Sequence, residues 1–301
     1  MLLTIGIPVR NEGENIPALR LAIEEIVRKI EEKNINVEVI INENVSEDNS
    51  FSLLEAWRKD FPIIRLFQLK TPLSFQGSIV SMMKEAKGDA FVVYQSDLQD
   101  PPDLILTFVD SWLKGNEIVA GVITSRQEGF VNRFGRKLFY HALQLVTDDY
   151  FIAGFQDFYL ISKRVYSGLL DLPDEGLFLR GHITSRFGNV IQIPYSRRER
   201  VAGKTNFNFP QKYSLALDAL LLFGTRFIRI LSSASFALFT ISFLSIIYFA
   251  FSYILGFRFQ VKGWASLSLL ILLLVSVIGL TTGLILEYLI RIYRLLVLNK
   301  K

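Results

Sequence analysis

The chain has no cysteine and two histidines among its 301 residues. Disulfides, thiolate metal sites and a cysteine nucleophile are therefore excluded, and the cysteine-free composition fits a reducing compartment. Neither GxGxxG nor GxxxxGK[ST] occurs, so a dinucleotide fold or P-loop phosphate cradle is not indicated. No basic segment precedes a long apolar run at the start, MLLTIGIPVRNEGENI, so no signal peptide is apparent. Acidic residues are nearly missing from the end of the chain: from Arg226 onward there are eight Lys/Arg and one acid. Internal repeats and low-complexity linkers are also lacking.

What is present is apolar and unevenly charged. Half of the residues are hydrophobic, 25 of them Phe, which excludes disorder. The mean hydropathy of +0.33 is high for a soluble domain and low for a mostly embedded protein. A soluble domain with a small membrane part is expected. The pI of about 9.1 is misleading as a whole-chain figure. The sequence is net −8 through Leu179, Arg180 to Lys212 is net +6, and the part from Arg226 is net +7. Basic charge placed this way favours a membrane surface or an anionic substrate and argues against nucleic acid.

Two uncharged stretches, Ile230–Phe257 and Gly263–Leu286, each exceed the roughly 20 residues needed to cross a bilayer core. Their outer flanks carry Arg226, Arg229, Arg291, Arg294, Lys300 and Lys301, against Arg258 and Lys262 in the connecting loop. The positive-inside rule then puts both flanks, both termini and the large N-terminal domain in the cytoplasm. The expected division is a catalytic domain over 1–209, an interfacial amphipathic helix over 210–229 and a two-helix membrane region with a tail over 230–301. A second basic amphipathic segment, Asn132–Val146, suits either the interface or the sheet surface.

The first ~125 residues alternate strand-like and helix-like patterns. LLTIGIPV, VEVII, IIRLFQL, AFVVY and EIVAGVI read as strands. Ile16–Ile30, Ser50–Trp57, Ser78–Ala86 and Pro102–Leu113 read as helices between them. This predicts an α/β fold: a mainly parallel sheet with helices on both faces and ligands at the C-terminal strand ends. Three of those ends are rich in carboxylates and amides. They are Pro8-Val9-Arg10-Asn11-Glu12, Asn42 to Asp48 and Gln95 to Pro102. Hard oxygens of this kind suit Mg²⁺ or Mn²⁺ on a diphosphate and hydrogen bonds to a base and ribose. Asp100 before two prolines reads as a helix N-cap, and Asp48 and Ser50 as turn or cap residues. Asp97, an acid at the end of an apolar strand, demands a partner. His141 and His182 lack any partner pattern and read as structural.

IPVRNEGENI, ENVSEDNS, KGDAFVVYQSDLQDPPDLI, LFLRG and RRERVAGKTNF, followed by two apolar spans, resemble in content and order the inverting family 2 glycosyltransferases. The resemblance is to the polyprenyl-phosphate branch, which includes dolichyl-phosphate mannose synthase and bactoprenol glucosyltransferases. It implies a GT-A (Rossmann-like) fold, a nucleotide-sugar donor, a divalent cation, Mg²⁺ or Mn²⁺, a polyprenyl-phosphate acceptor and an oligomer. By the same resemblance Pro8, Asn11 and Glu12 form the first nucleotide-contacting turn, and Glu43 and Asn44 read the base. Asp97 and Gln99 would face the metal, and Asp157 lies at the reaction centre. Arg200 falls in the segment that gathers phosphates near the membrane. Independently, Arg197, Arg198, Arg200 and Lys204 are rich in donors for phosphate. Gln95 stands where the family has the first aspartate of Asp-x-Asp, Tyr159 replaces an arginine, and Asn206 replaces a lysine with Lys204 nearby. Two other readings stay open at this level. One is a membrane-anchored scaffold of the same fold that has lost turnover. The other is a processive polysaccharide synthase, against which none of Trp57, Trp112 and Trp264 follows an arginine.

Overall fold

The computed structural model describes residues 1–125, 152, 154–171, 179–198, 225–255 and 264–293. These fall into two compact units, one built on a sheet and one on two long helices. In the first, β1 (Leu2–Val9), α1 (Ile16–Glu31), β2 (Asn36–Glu43), α2 (Ser50–Asp60), β3 (Ile64–Gln68), α3 (Phe75–Glu85), β4 (Ala90–Val93), α4 (Leu104–Leu113) and β5 (Ile118–Ser125) alternate as the sequence predicts. Then come β6 (Phe155–Ser162), α5 (Lys163–Leu170), α6 (Leu179–His182) running into a π-helical turn over Ile183–Phe187, and β7 (Ile191–Ser196).

The seven strands lie in the order β3-β2-β1-β4-β6-β5-β7. β1, β2, β3 and β4 are mutually parallel, and β5 and β7 are parallel to each other. β6 alone is reversed, pairing antiparallel with both β4 and β5. Pro194 sits in β7, an outer strand of the sheet, the place where a residue without an N–H does least damage to the ladder.

Alternation within each strand divides the core. Leu3, Ile5, Ile7, Val39, Ile41, Val92, Phe158 and Leu160 face α1, α2 and α4, where Leu19, Ile23, Trp57, Phe108 and Val109 cover them. Ile40, Phe91, Val93, Tyr159 and Ile161 face α3, α5 and α6 through Ile79, Met83, Val165 and Leu179. Burial on both faces explains why the central strands are continuous apolar runs. α3 begins three residues earlier than its apolar period predicts, because Ser74 caps it by accepting from Gly77 N–H at 3.1 Å.

In the second unit, α7 (Thr225–Ile254) and α8 (Trp264–Tyr293) pack on each other. Each holds a 24-residue window long and apolar enough to cross a membrane, Arg229–Ser252 and Ser266–Leu289. Of the most apolar 18-residue stretch of each, only 11% and 17% is buried, so their apolar faces are largely open. Their seam is built from small residues. A Cβ on Gly279 would come within 3.0 Å of the Ser235 carbonyl, and one on Gly283 within 3.2 Å of the Phe236 ring. Ser232 Oγ crosses the seam to the Gly283 carbonyl at 3.3 Å. Small residues and cross-helix hydroxyls are how helices associate where no water is available to drive them together.

Candidate active site

Because β1, β2 and β4 are parallel, their C-terminal loops emerge at one edge, and polar side chains lace them together. Asn11 N–H donates to Ser46 Oγ (2.9 Å), Glu12 N–H to Ser50 Oγ (3.0 Å) and Gly13 N–H to Asp48 Oδ2 (2.9 Å). In return Asn11 Oδ1 accepts from Glu47 N–H at 2.8 Å. Gly13 has no room for a side chain, since a Cβ would collide with Asn49 Oδ1. Asp48 also accepts from Ser50 N–H, which makes it the turn residue expected. Burial would raise its pKa, but these donors and the Ser50 hydroxyl outweigh that and hold it low. Ser96 Oγ donates to the Pro8 carbonyl at 3.1 Å and ties in the third loop.

Each of these three loops contains a non-glycine residue in the left-handed region: Asn11 at φ 53°, Val45 at 53° and Leu98 at 54°. For Asn the penalty is small, but for Val and Leu the conformation is strained by about 1–3 kcal/mol. Backbone strain repeated at three neighbouring strand ends makes this edge the candidate site.

Glu43 is fully buried; its Oε1 accepts from Ser46 N–H at 2.5 Å, while Oε2 has no hydrogen-bond partner among the described residues. The Asn44 side chain is committed elsewhere: its amide exchanges two 2.8 Å bonds with the backbone of Leu73, fixing the segment that leads into α3. Glu12 Oε2 accepts from the Asn15 amide at 2.5 Å.

At the end of β4, Asp97 is 5% exposed. Its Oδ1 accepts from Gln99 N–H at 3.2 Å, and its Oδ2 lies 3.7 Å from Arg197 Nη2. Arg197, just past β7, also donates through Nη2 to Gln95 Oε1 at 2.9 Å and places Nε 3.2 Å from Asp100 Oδ1. Asp100 is not a helix cap. α4 starts at Leu104, and Asp100 is 1% exposed and accepts the Tyr195 hydroxyl at 2.6 Å. Burial raises its pKa against the opposing pull of Arg197 and Tyr195. The Arg198 N–H and the Gln99 carbonyl close the same junction at 2.9 Å. Arg200, Lys204, Asn206, His141 and the segments 132–146 and 210–224 lie outside the described residues.

The reversed strand delivers the last group. The register Val93↔Tyr159 brings Asp157 and Gln95, two residues further along, to the same edge. Asp157 Oδ1 accepts from Gln76 Nε2 at 3.3 Å and stands 3.5 Å from Arg180 Nε. Arg180 is anchored by Nη1 on the Phe155 carbonyl at 2.8 Å, and Gln76 Oε1 accepts from Leu179 N–H. Tyr159, at the family's arginine position, is a fully buried core side chain whose ring meets Phe155 edge-on. Burial pushes its hydroxyl well above the ordinary tyrosine range.

Among the described residues no three His, Cys, Asp or Glu converge as a metal cage. The donors present fit a smaller site: the Asp97 carboxylate and the amide oxygen of Gln99 are hard ligands, Gln95 Oε1 being taken by Arg197, and Mg²⁺ is commonly held by one or two carboxylates plus substrate phosphate oxygens and water. Gln76, Tyr195 and the Leu73 backbone were not signalled by the sequence, and Arg180 only by its place in LFLRG.

The family profile described as glycosyl transferase family 2 matches residues 4–168. The bactoprenol glucosyl transferase of Shigella phage SfV is 30% identical over 302 residues, covering 97% of this chain and 94% of that protein. An uncharacterized glycosyltransferase of Bacillus subtilis, YkcC, is 29% identical over 292 residues, covering 96% and 89%. Among solved structures, mannosyl-3-phosphoglycerate synthase from Rubrobacter xylanophilus matches at TM-score 0.52 and 12% identity, covering 73% of this chain and 72% of that one. Glucosyl-3-phosphoglycerate synthase from Mycobacterium tuberculosis, in complex with UDP, matches at TM-score 0.50 and 16% identity, covering 73% and 79%. The structural likenesses establish the GT-A fold. With the profile spanning more than half of the chain and the phage relative matching nearly end to end, the protein belongs to glycosyl transferase family 2 and is a glycosyltransferase.

Proposed function

We propose that the protein transfers one sugar from a nucleotide sugar, preferably uridine-linked, to a polyprenyl phosphate of undecaprenyl or dolichyl type at the cytoplasmic face of the membrane. The observation that carries this reading is the convergence of Glu43, Asp97 and the Asp157–Arg180 pair at one strained sheet edge, in a chain that also bears two membrane-length apolar helices. The full-length similarity to a protein named bactoprenol glucosyl transferase supports the acceptor class. Flanking charge supports a two-span arrangement with both termini cytoplasmic, and the family resemblance supports a homo-oligomer.

In this reading the open Oε2 of Glu43 accepts from the base, and the laced turn of Pro8, Asn11 and Glu12 encloses the nucleoside. Asn44 shapes the same pocket through Leu73. A phosphate acceptor is already anionic near neutral pH, with a second pKa of about 6, so it attacks the anomeric carbon in a single inverting displacement with little need of a base. The harder task is holding two anions together. Arg198, Arg200 and Lys204 supply donors for them, with Arg197 bracing the loop behind. Asp157, oriented by Gln76 and Arg180, positions the acceptor and takes any residual proton. A Mg²⁺ or Mn²⁺ held by Asp97 with Gln99 would neutralise charge developing on the leaving diphosphate.

The test is incubation of the purified protein with polyprenyl phosphate, Mg²⁺ or Mn²⁺ and a panel of radiolabelled nucleotide sugars. Labelled polyprenyl-phosphate sugar is expected with one donor. Failure with every donor, alongside a working relative, would overturn the proposed acceptor.

A further inference from the structure

We propose that Arg197 is a built-in counter-ion of the β4 strand end that competes with a divalent cation for Asp97, so that the free protein holds Mg²⁺ or Mn²⁺ weakly. The proposal rests on the reading above only in taking Asp97 as the carboxylate that meets the ion. Its basis is the set of contacts made by one guanidinium. Arg197 reaches Gln95 Oε1 at 2.9 Å, Asp100 Oδ1 at 3.2 Å and Asp97 Oδ2 at 3.7 Å. Its own side chain is 19% exposed, against 6% for Asp97 and none for Asp100. Two sequestered carboxylates and one guanidinium leave the cluster at net −1, because residue 95 contributes a neutral amide rather than a third carboxylate.

A dication arriving at Asp97 meets a fixed positive charge in a partly desolvated space, where charge repulsion is strong. The guanidinium cannot shed its proton to relieve this. Nor can Arg197 swing away freely: Tyr195 and the Arg198–Gln99 backbone bond hold the end of β7 against the loop, and departure would strip Asp100 of its ion-pair partner inside the core. The sequence departure at Gln95 and the inward turn of Arg197 are thus one arrangement. The amide accepts from the arginine, and the same guanidinium faces Asp97, the carboxylate a metal would have to share with it.

The test is Mn²⁺ binding to the full-length protein in detergent, read by the loss of the free-ion electron paramagnetic resonance signal, without donor or acceptor. Asp97→Asn in each background identifies binding at this site. Arg197→Gln, which keeps hydrogen bonding and removes the charge, is expected to tighten Mn²⁺ binding at least tenfold, while Arg197→Lys stays within threefold of the unaltered protein. Arg197→Met, which also removes the charge while keeping a long side chain, is expected to tighten it at least tenfold as well; this variant carries the test should Arg197→Gln fail to fold. Equal affinity in the unaltered protein and in whichever of Arg197→Gln and Arg197→Met folds would overturn the proposal. Because none of these readings involves transfer, a negative transferase assay bears on the proposed acceptor and leaves the Mn²⁺ result standing.

Discussion

Replacing Asn44 by Ala removes the clamp between the second loop and the segment leading into α3, and its cost can be worked out. Two bonds of 2.8 Å are lost, one to the Leu73 carbonyl and one from the Leu73 N–H. Each intramolecular hydrogen bond contributes about 1 kcal/mol net. Leu73 is 38% exposed, so water reaches its freed backbone groups and no large penalty for stranded polar atoms is added. The expected loss is about 2 kcal/mol, which for a sheet unit of this size lowers the melting temperature by about 4–8 °C. In a Trp264→Phe background, which removes the tryptophan of the helical unit, Trp57, 1% exposed in the sheet core, makes intrinsic fluorescence a report on the sheet unit in the detergent-solubilised protein. The consequence also reaches the reaction. Leu73 directly precedes the Ser74 cap, and Gln76, two residues on, holds Asp157 at 3.3 Å. Asn44→Ala and Gln76→Ala should therefore be non-additive, with a coupling of at least about 0.5 kcal/mol in kcat/KM. A melting temperature within 1 °C of the unaltered protein, or strict additivity in the cycle, would refute the chain of contacts.

Other consequences are checked more simply. Asp157→Asn should lower kcat by about 10²-fold through lost positioning of the acceptor, with the fold retained, measured as label transferred under donor saturation; full activity would remove Asp157 from the reaction centre. Asp97→Ala should abolish transfer while membrane insertion persists, as read by carbonate extraction. Gly283→Ile drives a branched side chain toward the Phe236 ring and should cost the helix pair about 1–3 kcal/mol, seen as a lower midpoint of unfolding in sodium dodecyl sulfate. His182 is depressed to about 4 by burial, reinforced by Arg186, from 6.5. The unfolded state thus binds the extra proton first. His182 leaves stability complete above about pH 6.5 and withdraws it as the pH falls toward 4. Allowing for partial exposure, the loss is about 1–2 kcal/mol, and His182→Gln should flatten that part of the stability–pH curve.

The strands and helices through residue 125 were legible because βαβ alternation is a local, periodic signal, and they emerge within a few residues of their expected ends. The Asp-Pro-Pro segment shows where such reading fails. Locally it has every mark of a helix start, yet Asp100 is claimed by Tyr195 and Arg197, nearly a hundred positions away. Arg197 and Arg198 read alike in a basic run, but only Arg197 has a guanidinium drawn inward by Gln95 and Asp100 in the contacts described. β6 carries no period that distinguishes it, since Gln156 and Asp157 together interrupt its apolar run, and its reversed direction depends on which edge of β4 is open. The candidate site was legible as residues; what joins them, the Leu73 clamp and the Gln76–Asp157 contact, is long-range and leaves no trace in spacing.

Because β6 is inserted between β4 and β5 instead of being added at an outer position, the sheet cannot be completed in the order in which it is translated. The four parallel strands are all encoded by residue 93, whereas the strand that covers the open side of β4 begins at Phe155. While about sixty residues are synthesised, the apolar AFVV segment has a bare row of backbone donors and acceptors on that side, the kind of edge that recruits foreign strands. At typical elongation rates this interval lasts about 3–12 seconds. During it the interlaced loops after β1, β2 and β4 already exist, and the strand that brings Asp157 does not. Nascent chains stalled in this interval are where misassembly of this protein would begin.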